Sequence, residues 1–553
     1  RVCAITGEKW FMDEEEIGWY KKFNVPPSKL APNTRTKLIM GFASGVAIWK
    51  KPHAKTGKTI LSFIHPDSPF QVITDKEFFD EDFSNTDFNW DASRSFFEQI
   101  KNLALSVPFG ALRDNGTNQN TIGVDLIDVL DSRLCFGGMK SKGVIYASVF
   151  GSLENCVDVV IANDCLNSWR LVRSQFLHRC FYCVESSRCI NSSFLFDCDD
   201  CEFCFGATNQ RRKKYLFFNE QLSKDEWEKQ VSEIDLSCSS VFEKYRARFY
   251  ELLSQAVWQE NFFVGSINSN GQYLEKCVDC RKCYRSWLST DLYYCTISGE
   301  QKTSAFSGWL GWGSNIYYSC DIMAGENNKF CHRVFNSLNN EYCLNCYHIE
   351  NCFGCVGLKR KKFHIFNVPY SENEYWQKVD EIKCAMLERG EYGEFFPADF
   401  SEPGFQYSLG EETFGYSESD LKNFGAPKYD PERGGVVGID SIKKEAIRIN
   451  QIPDCLKEID SDKFVGQPIL DEKLNRHYSV TPAEFEFYKQ NNLPFPREHF
   501  LTRLKNLFAH VNTPFFTEAN CECGQSIQVY HNRTFPHRRV LCNACYLAHL
   551  EKR

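Results

Sequence analysis

Four cysteines close to the C-terminal end have the type and spacing for metal chemistry. Cys521-x-Cys523 and, eighteen residues on, Cys542-x2-Cys545 lie in a turn-rich segment with Gly524, Asn532, Pro536 and Asn543. Two thiolate pairs on separate knuckles close a tetrahedron around Zn²⁺ and leave no position open for a substrate. One structural zinc ion is therefore expected on Cys521, Cys523, Cys542 and Cys545, in a zinc ribbon. The N-terminal segment has only Cys3. With one gap, Gly57 pairs with Gly524, Ile60 with Ile527 and Pro69 with Pro536. On that register Ala54, Thr56, Asp75 and Phe78 take the four cysteine places, so this copy is expected to hold its shape without zinc.

A second candidate chemistry is phosphate contact. Arg211-Arg212-Lys213-Lys214 and Lys359-Arg360-Lys361-Lys362 each precede a short aromatic run, on a chain of net charge −8. The last 57 residues are also basic. Paired clusters could touch a nucleic-acid backbone at two points. The competing reading is a solvated turn whose like charges block edge-to-edge aggregation.

The remaining cysteines keep one phase. Positions 135, 156, 165, 180, 183, 189, 198, 201 and 204 differ by multiples of three, as do 277, 280, 283, 295, 331, 343, 346, 352 and 355; Cys320 is out of step. Helices repeat every 3.6 residues and plain strands every two. A sustained period of three fits a β-solenoid of very short strands and tight turns, with small side chains at inward corners. The thiols then read as buried, reduced fillers. Disulfide ladders are one alternative, and Fe–S ligation by Cys198/Cys201/Cys204 and Cys277/Cys280/Cys283 another, although neither triplet has the fourth Cys-Pro that ferredoxin spacing requires.

Catalytic motifs are missing. No nucleophile elbow, H-E-x-x-H or dinucleotide fingerprint occurs. His178, His332, His348 and His364 have no counterparts across the repeat described next. Thr56-Gly57-Lys58-Thr59 imitates the end of a P-loop, but Pro52 stands where its first glycine belongs.

These residues must be positioned by repeated elements. Cys204-Phe205-Gly206 and the run from Arg211 to Asn219 return 148 residues later as Cys352-Phe353-Gly354 and Lys359 to Asn367. Trp19-Tyr20-Lys21 with Asn24-Val25-Pro26 returns at an offset of 468 as Phe487-Tyr488-Lys489 with Asn492-Leu493-Pro494. The expected fold is mainly β with α elements: two duplicated β-solenoid halves flanked by small terminal modules. The expected segments are a degenerate ribbon-like module (1–94), two halves with flanking helices (95–238 and 239–386), an extended connector (387–470) and the zinc-ribbon module (471–553). At 553 residues, several domains are required. No apolar run is long enough to span a membrane. An odd 27 cysteines without a signal-peptide pattern predicts a reducing, cytoplasmic setting, and the missing initiator Met predicts residues before Arg1.

The chain resembles a group of uncharacterised Cys-rich zinc-ribbon proteins of candidate-phyla-radiation (Patescibacteria) bacteria. The resemblance rests on Cys198 to Gly206, Asn351 to Leu358, Glu391 to Pro397, Thr481 to Lys489 and Cys542-x2-Cys545-Tyr546. It implies the architecture and brings no activity with it. It also implies a further C-x2-C pair after each Asn-hydrophobic-Pro turn. Ala31 and Thr34 stand at those places in one window, His499 and Thr502 in the other, so two metal sites of the family are expected to be lost.

The function expected is a non-enzymatic scaffold docking onto a protein or ribonucleoprotein assembly. The alternatives are an RNA- or ribosome-associated factor and an Fe–S or redox protein.

Overall fold

The computed structural model describes residues 1–431, 433 and 446–552. The chain is mixed α/β and rich in strands. Among the described residues, no helix is long and apolar enough to cross a membrane. Gly434-Gly435, part of the expected connector, lies outside the described residues.

The period of three has a backbone cause. Asn155, Asp158, Ile161, Asp164 and Asn167 all have left-handed φ, between 48° and 57°, and this spacing recurs along both cysteine-rich stretches. Such a conformation costs an ordinary residue about 1–2 kcal/mol and is easiest for Asn, Asp and Gly. Those residues are accordingly frequent between the cysteines. The residue after each left-handed position points inward: Cys156 follows Asn155, Cys165 follows Asp164 and Cys277 follows Lys276, and all three are buried.

Four such steps make one register unit. Neighbouring strands pair in parallel at an offset of twelve, as in Phe181, Ser193 and Phe205, or Gly308, Cys320, His332 and Leu344. Strand order follows chain order in a ten-stranded sheet that starts at Ile122 and, with one side branch, in a nine-stranded sheet that starts at Phe263. We call these the first and second ladders. Backbone groups are satisfied between neighbouring strands: Asn155 N–H donates to Lys142 C=O (3.0 Å) and Val157 N–H to Ser168 C=O (3.1 Å).

Inward side chains complete this bonding. Ser168 Oγ donates to Leu166 C=O (2.9 Å) and accepts from Cys180 N–H (3.1 Å). Cysteine does the donor half of the same job: Cys156 Sγ lies 3.4 Å from Glu154 C=O and 3.5 Å from Cys165 C=O. Burial pushes the Cys135 and Cys156 thiols up to about 12, which keeps them neutral. Cys320 is out of phase because it does not face inward; its paired neighbour Gly308 lies against Ile39 and Met40.

The chain groups into two compact units, residues 1–112 with 261–434, and residues 113–260 with 435–553. The first holds the N-terminal module and the second ladder. The other holds the first ladder and the C-terminal module. Each module runs helix, helix, hairpin, short strand, helix. In the N-terminal one these are Glu14–Phe23, Pro32–Met40, Trp49–Pro52 with Thr59–Ser62, Val72–Ile73 and Asp75–Asp80. In the C-terminal one they are Pro482–Gln490, Phe500–Phe508, Asn512–Asn520 with Ser526–Asn532, Arg539–Leu541 and Asn543–Glu551.

The expected extended connector is not extended over its first half. Between Ala398 and Phe424 the chain forms short helices, and Phe395, Phe396, Phe400, Phe405 and Leu409 are buried. Burial of this aromatic series overrides the Gly, Pro and acidic residues that suggested a linker.

Candidate metal centre

The hairpin Asn512–Asn520/Ser526–Asn532 ends at Cys521, where the chain reverses in a tight knuckle. Gly524 N–H donates to Cys521 C=O and Cys521 N–H to Gln525 C=O, both at 2.8 Å. Gly524 has φ +90°, which a side chain would strain. The other pair begins a helix: Cys542 is the N-cap of Asn543–Glu551, and Cys545 lies in its first turn. The four Sγ atoms lie within 4.8 Å of one another, Cys523 and Cys542 at 3.7 Å. A tetrahedron with Zn–S bonds of about 2.3 Å has edges of about 3.8 Å, so the donor set has the right size for such an ion.

The local field favours thiolate at one corner. Burial works against ionising Cys521, but backbone N–H donors from Cys523 and Cys542 outweigh it and bring its pKa down to about 7. The Cys542 N–H to Cys521 Sγ distance is 3.3 Å. Cys545 is pushed up to about 12 by the thiols of Cys523 and Cys542. One ionised sulfur among protonated neighbours is the pattern a cation would resolve by displacing the remaining protons.

The N-terminal module solves the same corner with hydrogen bonds, but not with the residues expected. Ala54 and Thr56 are exposed, Phe78 is in the core, and Asp75 accepts from Leu112 N–H. The corner is built by His53, Thr74 and Glu77 instead. His53 Nε2 and Thr74 Oγ1 each donate to Glu77 Oε2 at 2.6 Å, while His53 Nδ1 accepts from the N–H groups of Lys55 and Thr56. These bonds, led by Thr74 and then His53, hold the Glu77 carboxyl down at about 2. The knuckle is one residue longer here, because His53 N–H donates to Lys58 C=O where Cys521 donates to Gln525. The P-loop-like Thr56-Gly57-Lys58-Thr59 is part of this knuckle.

The two windows at Ala31/Thr34 and His499/Thr502 are likewise closed without thiolate pairs. Cys3 Sγ donates to Thr34 Oγ1 (3.5 Å). At the matching place 468 residues on, buried Asp471 accepts from His499 N–H (2.8 Å) and Thr502 Oγ1 (3.2 Å). Among the described residues, the other convergent ligand group is Cys238, Asp454 and Cys455, whose two sulfurs are joined in a disulfide.

The basic clusters are divided between inward and outward roles. Arg211 donates to the backbone and carboxylate of Asp197 and to Tyr546 Oη (2.7 Å). Lys359, its counterpart at the 148 offset, donates to Phe78 C=O and lies 4.1 Å from the centre of that ring. Burial brings Lys359 down to about 8. Lys214 pairs with Glu202, Lys361 with Asp82 and Lys362 with Glu350. Lys213 is half-buried, and Arg212 and Arg360 are exposed. The leading residue of each cluster thus anchors the last helix of a terminal module.

Sequence reading missed the most deeply buried charges. In the C-terminal module Arg503 Nη1 donates to Asp158 Oδ2 (2.9 Å) and Tyr488 Oη (2.9 Å), and Nη2 donates to Glu484 Oε1 (3.3 Å). Tyr146 Oη donates to Glu484 Oε2 (3.0 Å). In the N-terminal module Arg35 Nη2 donates to Glu16 Oε1 (2.7 Å), as does Tyr20 Oη (2.6 Å), and the Arg35 guanidinium lies 3.5 Å from the centre of Phe306. Glu16, Tyr20 and Arg35 are 468 residues from Glu484, Tyr488 and Arg503; Asp158 and Phe306 are 148 apart. Both terminal modules therefore dock on a ladder through the same Glu–Tyr–Arg lock at the same ladder position. The offsets already found would have exposed it had single charged residues been followed along them.

No protein-family model matches this chain, and no curated protein matches it.

Proposed function

We propose that the protein is a non-enzymatic scaffold, built of two β-solenoids of twelve residues per turn, each fastened to a zinc-ribbon-type module, with one structural zinc on Cys521, Cys523, Cys542 and Cys545. The solenoid reading is supported by the three-residue step and the constant offset of twelve. The observation that carries the scaffold reading is the repeated buried lock. A module held by fully desolvated ions keeps a fixed orientation on its ladder, and preformed surfaces of fixed geometry suit binding more than catalysis. Zinc is preferred because four sulfur donors at tetrahedral spacing leave nothing for a substrate, and the metal would supply folding energy alone.

RNA contact is the weaker reading, because Arg211 and Lys359 are committed to internal anchoring. A native pull-down with and without RNase tests both. A discrete protein partner that survives RNase and salt is expected. Ribosomal proteins or RNA released by either treatment would overturn the scaffold reading in favour of the nucleic-acid one. Metal analysis separates the Fe–S alternative, since near one zinc and no iron per chain is expected.

A further inference from the structure

We propose that Cys238 and Cys455 form a reversible thiol–disulfide exchange site, opened by small thiols and closed by small disulfides, that controls the cap of the helix Ser239–Ser254. The bond joins positions 217 residues apart within one unit. Cys238 is the N-cap residue of this 16-residue helix, and its side chain makes no capping bond. The cap comes from across the disulfide instead. Ser239 N–H donates to Asp454 C=O (2.9 Å) and Ser240 N–H to Asp454 Oδ1 (3.0 Å). Leu456 N–H donates back to Ser237 C=O (3.1 Å). The disulfide therefore holds Asp454, a residue of a distant segment, in the place where a helix takes an acceptor from its own N-cap.

The remaining cysteines show why this bond must be exchangeable. The inward thiols of the ladders are buried and hydrogen-bonded, and the four at the metal corner act as ligands only as thiolates. Both suit reducing surroundings, where a persistent disulfide is one in exchange with the thiol pool.

Geometry gives the direction of attack. Cys455 is half-buried and Cys238 buried. An incoming thiolate bonds to Cys455 Sγ, the Cys238–Cys455 bond breaks, and its electron pair leaves on Cys238 Sγ. The helix N-terminus stabilises that thiolate, which can then take the N–H groups that Asp454 had capped. A second thiolate attacks the mixed disulfide, releasing a small-molecule disulfide and the Cys455 thiolate. The reverse sequence, starting from a small disulfide, restores the bond. Arg497 donates to Ile452 C=O (3.0 Å), Pro453 C=O (2.6 Å) and Ser239 Oγ (2.9 Å), which keeps the two sulfurs near each other while open. Asp235 Oδ2 lies 3.6 Å from Cys238 Sγ but is paired with Lys457 Nζ at 3.7 Å, and Arg497 acts on Asp454, so neither carboxylate stands as an uncompensated charge beside the bond.

The test uses the full chain at neutral pH, with cysteamine, reduced glutathione or oxidised glutathione as the probe. Differential alkylation with mass spectrometry reports the sulfurs, and hydrogen exchange reports residues 237–242 and 449–460. Cys238 and Cys455 should become alkylated together and before the ladder thiols, with cysteamine and with reduced glutathione alike. Opening should raise exchange in 449–460, and C455S should reproduce that rise without reductant. Oxidised glutathione should reverse it in the wild type and not in C455S. A pair that stays unlinked in excess oxidised glutathione overturns the proposal. So does linkage that leaves exchange of 449–460 unchanged, because the bond would then be an inert crosslink. Both readouts are taken on the wild type, so they stand even if C455S fails to fold.

Discussion

Arg503 is fully buried between two carboxylates and a phenol, and its removal would strand Asp158 and Glu484. Breaking a buried ion pair from one side costs about 3–5 kcal/mol. R503A is therefore expected to lower stability by that amount in denaturant titration. R503K should recover little, because a single ammonium cannot reproduce the fork that reaches Asp158, Tyr488 and Glu484 together. R35A should cost less, since Arg35 pairs with one carboxylate, Glu16, and a ring face. At the metal corner, C542S removes a sulfur donor and leaves a serine that can cap the last helix. Bound zinc should fall from one per chain to none by metal analysis, with loss of protection in 512–551. K359A should loosen the helix Asp75–Asp80 and leave zinc content unchanged, whereas R211A should loosen the helix Asn543–Glu551 that carries Cys545.

The ladder strands carry the clearest sequence signal and the clearest test. Inward Ser and Cys bond a carbonyl two residues back, whereas Leu153, Leu171 and Leu195 fill the same interior without such a bond. C156S should change stability by under about 1 kcal/mol, because serine already makes the same bonds at Ser168 and Ser192. C156L should cost about 1–3 kcal/mol by overpacking, and thermal melts of the pair decide it. The period was legible because one cysteine phase runs through each ladder. Its cause was not, since left-handed backbone at Ile161 or Arg173 contradicts those residues' own preferences. The N-terminal corner slipped by one position for a similar reason. The longer His53 knuckle shifts the hairpin register, and the helix start at Asp75 shifts it back to the 468 offset. One gap inserted and never closed put Asp75 and Phe78 where Thr74 and Glu77 belong. The Cys238–Cys455 bond left no trace, because its two residues are 217 positions apart and neither lies within the cysteine-rich runs 135–204 and 277–355.

At the scale of the whole molecule, the composition of net charge −8 says little about where protons are withheld; the fold decides that. His510 is buried with Nδ1 donating to Asn506 C=O (2.8 Å) and Nε2 accepting from Tyr250 Oη (2.9 Å), a pattern open only to the neutral ring. Burial holds it down at about 4, and burial, aided by Arg476 and Arg503, holds His499 at about 3. Unfolded, both rings would titrate near 6.5. Between these values the unfolded chain binds more protons than the folded one, so stability rises with pH. Above about 6.5 the two histidines contribute no slope. As pH falls from 6.5 towards 4 their contribution is lost, and below about 4 the depressed carboxyls of Glu77 and Asp82, both held near 2, add a further loss. The histidine contribution to thermal stability should therefore be level above pH 6.5 and fall steadily below it. H510Q retains a donor and an acceptor but cannot take up a proton. It should start less stable at pH 7.5 and show a shallower decline between pH 6.5 and 4. An unchanged slope would mean that His510 is already protonated in the folded chain, and the Tyr250 contact would then have to be reversed.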